Sequence, residues 1–153
     1  MDSKIMNSNE NAIRLSVSRI RFKKKPLRKD GGRITNSFVE RLYTQKEMED
    51  CATASFTVSP VVFKKNKISN ATWLHSQAIY IDIDGSIHED IALKRLEEHS
   101  IIPNFIYHTF SHTEDIRKYR IVMILDEPIT NKKEYDNILK VLATSYLNAT
   151  TIV

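Results

Sequence analysis

The sequence predicts an α+β fold, and three observations carry the prediction. Residues 79–84 (IYIDID) alternate apolar and polar side chains with the period of two that marks a strand. Residues 119–125 (YRIVMIL) form an apolar run of strand length. Near the C-terminus, Tyr135, Ile138, Leu139, Leu142 and Tyr146 fall on one face of a helix.

Taken in chain order, residues 1–10 read as a disordered polar tail and residues 11–153 as one domain. Its basic N-terminal α/β part spans 11–70. There Ile13, Leu15 and Val17 alternate with polar residues and predict a strand. Asp30-Gly31-Gly32 is a turn signal. Residues 36–50 predict a short helix capped by Asn36 or Ser37, and residues 53–63 an extended segment interrupted by Pro60. After the 79–84 strand and Gly85, Ser86 with Glu89 has capping-box spacing and predicts a helix running to about Ser100. Residues 104–111 (NFIYHTFS) are aromatic and β-branched and predict a second strand ending in Ser111 and His112. A polar turn to Lys118, the strand from Tyr119, and Pro128 as its stop follow. Asn131 with Glu134 caps the last helix. Residues 150–153 read as the start of another strand, cut short. The order over 77–153 is β-α-β-β-α(-β), the ferredoxin-like or RNA-recognition-motif-like (RRM-like) unit, whose first and third strands are central neighbours.

Composition narrows the function. The single Cys51 cannot form an internal disulfide, and points to a reducing, cytoplasmic setting. The longest runs without a charged residue or histidine, 51–63 and 141–153, are 13 residues each, too short to span a bilayer. Only Gly31, Gly32 and Gly85 are available, so neither a P-loop nor a dinucleotide-binding turn can be built. If the chain handles nucleotides, it does so with side chains and metals. Charge is uneven: residues 11–35 hold nine basic residues against Asp30, a net +8, while the other 128 residues sum to −4. Such a segment suits a polyanion, and Arg21, Lys23, Lys24, Lys25, Arg28 and Lys29 are its candidate nucleic-acid contacts.

The sharpest chemistry is Asp82 and Asp84. Residues i and i+2 of a strand share a face, and two like charges so close invite a cation between them. Carboxylate oxygens suit Mg²⁺ or Mn²⁺. Asp126 ends the third strand and is expected to approach them as a third carboxylate, with Arg120 on the same strand face. Ser111 and His112 are candidates for holding phosphate oxygens. His108, four residues before His112, makes a poor zinc pair on a strand, where the two side chains lie far apart, and no cysteine supports it.

Together, YIDIDG at 80–85, TFSHT at 109–113 and YRIVMILDEP at 119–128 resemble the three motifs of the archaeo-eukaryotic primase superfamily, most closely primase-polymerase domains of plasmids, phages and other mobile elements. The likeness covers about residues 55–147. It implies nucleotidyl transfer in the replication of a mobile element or phage. Asp82, Asp84 and Asp126 would be catalytic metal ligands for two Mg²⁺ or Mn²⁺ ions, set roughly 3.5–4 Å apart in such sites. Ser111, His112 and Arg120 would contact nucleotide phosphates. The implied partners are a single-stranded or primed DNA template, nucleoside triphosphates and a separate helicase, with no membrane. Set against that family, the chain reads as truncated at its C-terminus.

Two other readings compete. IDIDGS at 81–86 also resembles the opening motif of haloacid-dehalogenase-type phosphatases, with Asp82 as nucleophile and Asp84 as acid/base. Alternatively, the chain is a degenerate primase, a replication protein that binds nucleic acid without catalysis.

Overall fold

The computed structural model describes residues 11–85 and 87–148. They form an α+β structure with two antiparallel sheets and four α-helices. In the first sheet β1 (Ile13–Arg21) lies between β2 (Phe38–Tyr43) and β3 (Phe56–Ser59). The second has the order β4-β5-β7-β6: β4 (Val61–Phe63), β5 (Trp73–Asp84), β7 (Lys118–Ile129) and β6 (Phe105–His108).

The period-two pattern of β5 separates two cores. Ile79, Ile81 and Ile83 face α3 (Glu89–Glu98) and α4 (Lys132–Lys140), packing with Leu96, Tyr119, Ile121, Tyr135 and Leu142. The opposite face, from Ala78 and Tyr80 across Val122, packs on Leu15 and Val17 of β1 and on Met48 of α2 (Gln45–Thr53). The second sheet is thus covered on both faces, by helices on one and by the first sheet on the other. Pro60, between β3 and β4, marks the crossing from sheet to sheet. The crossing is tied by Ser76 Oγ to the Pro60 carbonyl (2.7 Å) and Ser16 Oγ to the Val61 carbonyl (2.8 Å).

Several expectations give way. Residues 36–50 are not one helix. Residues 38–43 pair with β1 from Ser18↔Phe38 to Ile13↔Tyr43, a long-range register that overrides local helix signals. The helix begins at Gln45, where Thr44 and Glu47 form the reciprocal capping box. The turn signal Asp30-Gly31-Gly32 falls at a helix start: a 3₁₀ turn, Arg28–Asp30, leads into α1 (Gly31–Thr35). Ser86 lies outside the described residues; α3 begins at Glu89 with His88 as its cap, so Glu89 is the first helical residue rather than the third. β6 ends at His108, which puts Ser111 and His112 in the following loop. Pro128 does not end β7. The strand continues to Ile129, and Ala78↔Ile124 is followed by Ser76↔Ile129, so β7 bulges and Pro128 falls where no ladder bond is needed. α4 runs on as a π-helical turn, Val141–Tyr146. The tail 1–10 and the strand start at 150–153 lie outside the described residues.

Candidate active site

The polar half of the β5 face is read across three strands. Asp82 lies opposite Arg120 and Asp84 opposite Lys118. Tyr107 of β6 lies opposite Arg120 on its other side. Side chains facing each other in such a row touch. Arg120 donates through both Nε and Nη2 to the two Asp82 oxygens, the latter at 2.8 Å, and through Nη1 to Tyr107 Oη at 3.0 Å. Its guanidinium also stands about 6 Å from the Tyr80 and Tyr107 rings. Lys118 Nζ is 2.7 Å from Asp84 Oδ1.

These residues open into a cleft of about 620 Å³, within the usual range for a small-molecule site. Its floor includes Asp82, Asp84, Lys118, Arg120 and Tyr107. Lys25 and Pro26, Thr53 at the end of α2, and Phe56 in β3 close it from the N-terminal half. Thr109, Phe110 and Ser111 bring in the loop after β6. The cleft exists because the first sheet covers Tyr80 and Val122 but stops short of Asp82 and Asp84.

Burial works against the charge on Arg120, yet the hydrogen bonds and charge of Asp82 more than offset it and hold its pKa above the ordinary value. Burial pushes the Tyr80 and Tyr107 phenols up, so both stay neutral hydrogen-bonding groups.

The Asp82–Asp84 pair suits a hard divalent cation in donor type. Its charge, however, is already answered by Arg120 and Lys118, and a cation has to compete with both. The two contests differ. The Asp84–Lys118 side chains are 46% and 29% exposed, a pair that exchanges readily with solvent; Asp82 and Arg120 are 19% and 24% exposed and doubly bonded.

Asp126 is not with them. It sits six residues along β7 from Arg120, roughly 20 Å at strand rise, in the bulge where Gln77 Nε2 donates to the Leu125 and Asp126 carbonyls (3.1 and 3.2 Å). The expected three-carboxylate site therefore contains two of its members.

Ser111 lines the cleft, and His112 adjoins it by stacking on His108 with ring centroids 3.6 Å apart. The expectation that His108 and His112 lie far apart is overturned because the chain leaves the strand after His108 and folds back. Glu89 joins the pair: its Oε1 is 3.2 Å from His108 Nε2, and Arg117 Nε donates to its Oε2 at 2.5 Å. The potential ligand atoms of Glu89, His108 and His112 lie within 4.8 Å of one another. This cluster is closed on itself. Arg117 balances the Glu89 charge, and the Lys118 backbone N–H donates to His112 Nδ1 at 3.1 Å. That last bond leaves Nε2 of the neutral His112 ring as an N–H donor, the form that serves a phosphate oxygen. Burial opposes the Glu89 charge, but a backbone hydrogen bond, Arg117 and His108 together hold its pKa below the ordinary value.

Of the basic candidates, Lys25 reaches the cleft. Arg21 Nε is spent on the Ala54 carbonyl at 2.6 Å. Lys23, Lys24, Arg28 and Lys29 are exposed. Sequence reasoning missed Lys118 and Tyr107. Lys118 shares a strand face with Arg120 two residues on, so alternation already carried its signal. Tyr107 depends on the β6–β7 register, which no local pattern sets.

No family model, no curated protein and no solved structure matches this chain.

Proposed function

We propose that the chain is a nucleotidyltransferase domain of primase-polymerase type, with Asp82 and Asp84 holding the catalytic divalent cations. The observation that carries this reading is the cleft in which two adjacent carboxylates face two cations and a hydroxyl loop. Bound Mg²⁺ or Mn²⁺ supplies charge neutralisation at the reacting phosphate and activates the attacking hydroxyl. The chain's own groups do the rest. With Asp82 and Asp84 holding a metal, Arg120 and Lys118 would be free to donate to triphosphate oxygens. Ser111 Oγ and His112 Nε2–H add neutral donors from the loop. Such positioning and charge stabilisation supply most of the acceleration in phosphoryl transfer. With Asp126 apart, the described residues offer two carboxylates for metal rather than three. Lys25 brings the basic segment to the cleft rim, where a single-stranded or primed template would pass.

The order β4-β5-β7-β6, with α3 and α4 on one face, supports an RRM-like unit whose free edge beside β5 is filled from the N-terminal side by β4. Among the described residues no helix is long and apolar enough to cross a membrane. The free Cys51, half-buried with its thiol pushed up by burial, suits the cytoplasmic setting expected from sequence. The phosphatase reading, like the metal site, needs Arg120 to release an oxygen of Asp82.

Labelled-nucleotide incorporation on a primed template, with Mg²⁺ or Mn²⁺, tests the proposal. Wild type incorporates, and Asp82→Asn with Asp84→Asn does not while still binding DNA. Activity unchanged by that double substitution overturns it, and release of phosphate from a generic monoester favours the phosphatase instead.

A further inference from the structure

The uneven charge of the chain has a second focus, away from the cleft. Arg19, Lys29, Arg33 and Asn36 line an open hollow of about 820 Å³ that shares no lining residue with the cleft. The hollow is fixed by buried contacts rather than by its own charges. Ser18 Oγ and Ser37 Oγ are 2.5 Å apart, Ser37 Oγ donates to the Ile34 carbonyl at 2.7 Å, and the Arg19 amide donates to the Ser37 carbonyl at 3.0 Å. These bonds clamp the end of α1 onto β1. They set Arg33 and Arg19, 14 positions apart in sequence, on one concave surface.

The charges there are not balanced among the described residues. Among the described residues Arg19 and Lys29 form no ion pair. Arg33 has only Asp30, at 3.8 Å, and the other oxygen of that carboxylate accepts from the Leu27 amide at 2.9 Å. Three cations around one hollow repel each other unless an anion lies among them. In the cleft Asp82 and Asp84 each have a cation, as Glu89 has Arg117; here, among the described residues, one acid stands beside three cations.

We infer that this hollow is a phosphate-binding site for the backbone of a nucleic-acid strand. The inference rests on the nucleic-acid part of the proposed function and extends it to residues outside the cleft. Arg guanidinium groups and the Asn36 amide offer the fork-shaped donors that phosphodiester oxygens take. Continuity selects a polynucleotide over a small phosphate. From Arg19 in the hollow to Lys25 in the cleft is a run of seven residues, five of them basic, spanning at most about 20 Å. One strand of a few nucleotides reaches both ends, within the usual site sizes of such grooves.

Each phosphate contact on a single strand adds about 0.7 to the slope of log affinity against log salt. The test measures that slope by fluorescence anisotropy, from 50 to 200 mM salt, on a labelled single-stranded oligonucleotide. The triple variant Arg19→Ala, Lys29→Ala, Arg33→Ala is expected to lower the slope by about two. The control Lys64→Ala, Lys65→Ala, Lys67→Ala removes the same charge from another turn and leaves the slope unchanged. Circular dichroism confirms that both variants are folded. An unchanged slope in the first triple, or an equal fall in both, overturns the inference. So does displacement of chemical shifts at Arg19 and Arg33 by millimolar inorganic phosphate but not by the oligonucleotide, which would make the hollow a site for free phosphate. A lowered slope in a protein that incorporates no nucleotide supports the hollow and removes the nucleotidyltransferase reading. The converse result keeps that reading and removes the hollow.

Discussion

Arg120→Met separates the two roles of the Asp82 carboxylate. In the wild type both of its oxygens are taken by Arg120. A divalent cation must displace that guanidinium before it gains both ligands. Hydrogen bonds to charged groups contribute about 1.5–3 kcal/mol, so the competition costs a metal about 10–100-fold in affinity. Methionine keeps much of the apolar stem and removes the competitor. Mn²⁺ is therefore expected to bind Arg120→Met about 10–100-fold more tightly than wild type, read by titration calorimetry or by the loss of the free-Mn²⁺ resonance signal. The matching variant Lys118→Met has a smaller effect, about fivefold or less, because an exposed pair is worth about 1 kcal/mol at most. Stability moves the other way. Without metal, Arg120→Met strands a carboxylate that is 19% exposed, a cost of about 2–3 kcal/mol once discounted for its solvent contact. Its melting temperature should fall by about 5–10 °C and recover as Mn²⁺ is added. Equal Mn²⁺ affinity in Arg120→Met and wild type would refute the claim that this guanidinium and the metal share one carboxylate.

Three further outcomes follow from the geometry. Asp126→Asn leaves Mn²⁺ affinity within about twofold of wild type by the same titration, since the residue lies roughly 20 Å along β7 from Arg120. Thr44→Ala removes the capping box of α2 and lowers unfolding free energy by about 1 kcal/mol, measured by urea denaturation. Glu89→Gln destabilises by about 1 kcal/mol at pH 7. Because the folded pKa of Glu89 lies below the ordinary 4.5, its stabilisation is present above that value and lost as the pH falls. Wild type and variant should thus converge in thermal melts as the pH falls below 4.5 and through the folded pKa.

How far the sequence can be read depends on where each signal is encoded. The alternation of Ile79, Ile81 and Ile83 with Tyr80, Asp82 and Asp84 is local, and both faces of β5 follow from it. The helical face from Tyr135 to Tyr146 and the Asn131 cap are local as well. β2 is not, since its strand state comes from pairing with β1, and its own residues read equally as helix. Asp126 illustrates the same limit at the site. Its position at the end of an apolar run suggested a neighbour of Asp82, but antiparallel pairing carries the far end of β7 away, and the bulge held by Gln77 depends on register. The stacking of His108 on His112 and their link to Glu89 depend on where β6 stops, a boundary set by pairing with β7. Asp82, Asp84, Ser111 and Arg120 were legible in sequence because each lies on, or just beyond, a strongly patterned strand.

The central claim is that Asp82 and Asp84 hold a divalent cation in the cleft, and paramagnetic broadening by Mn²⁺ tests it most directly. In ¹H,¹⁵N spectra of the wild-type chain, substoichiometric Mn²⁺ should broaden the amides of Asp82–Asp84 and Lys118–Arg120 first. Asp82→Asn with Asp84→Asn should abolish the effect. Broadening centred instead on Glu89, His108 and His112, or on Asp126, and unaffected by that double substitution would contradict the account.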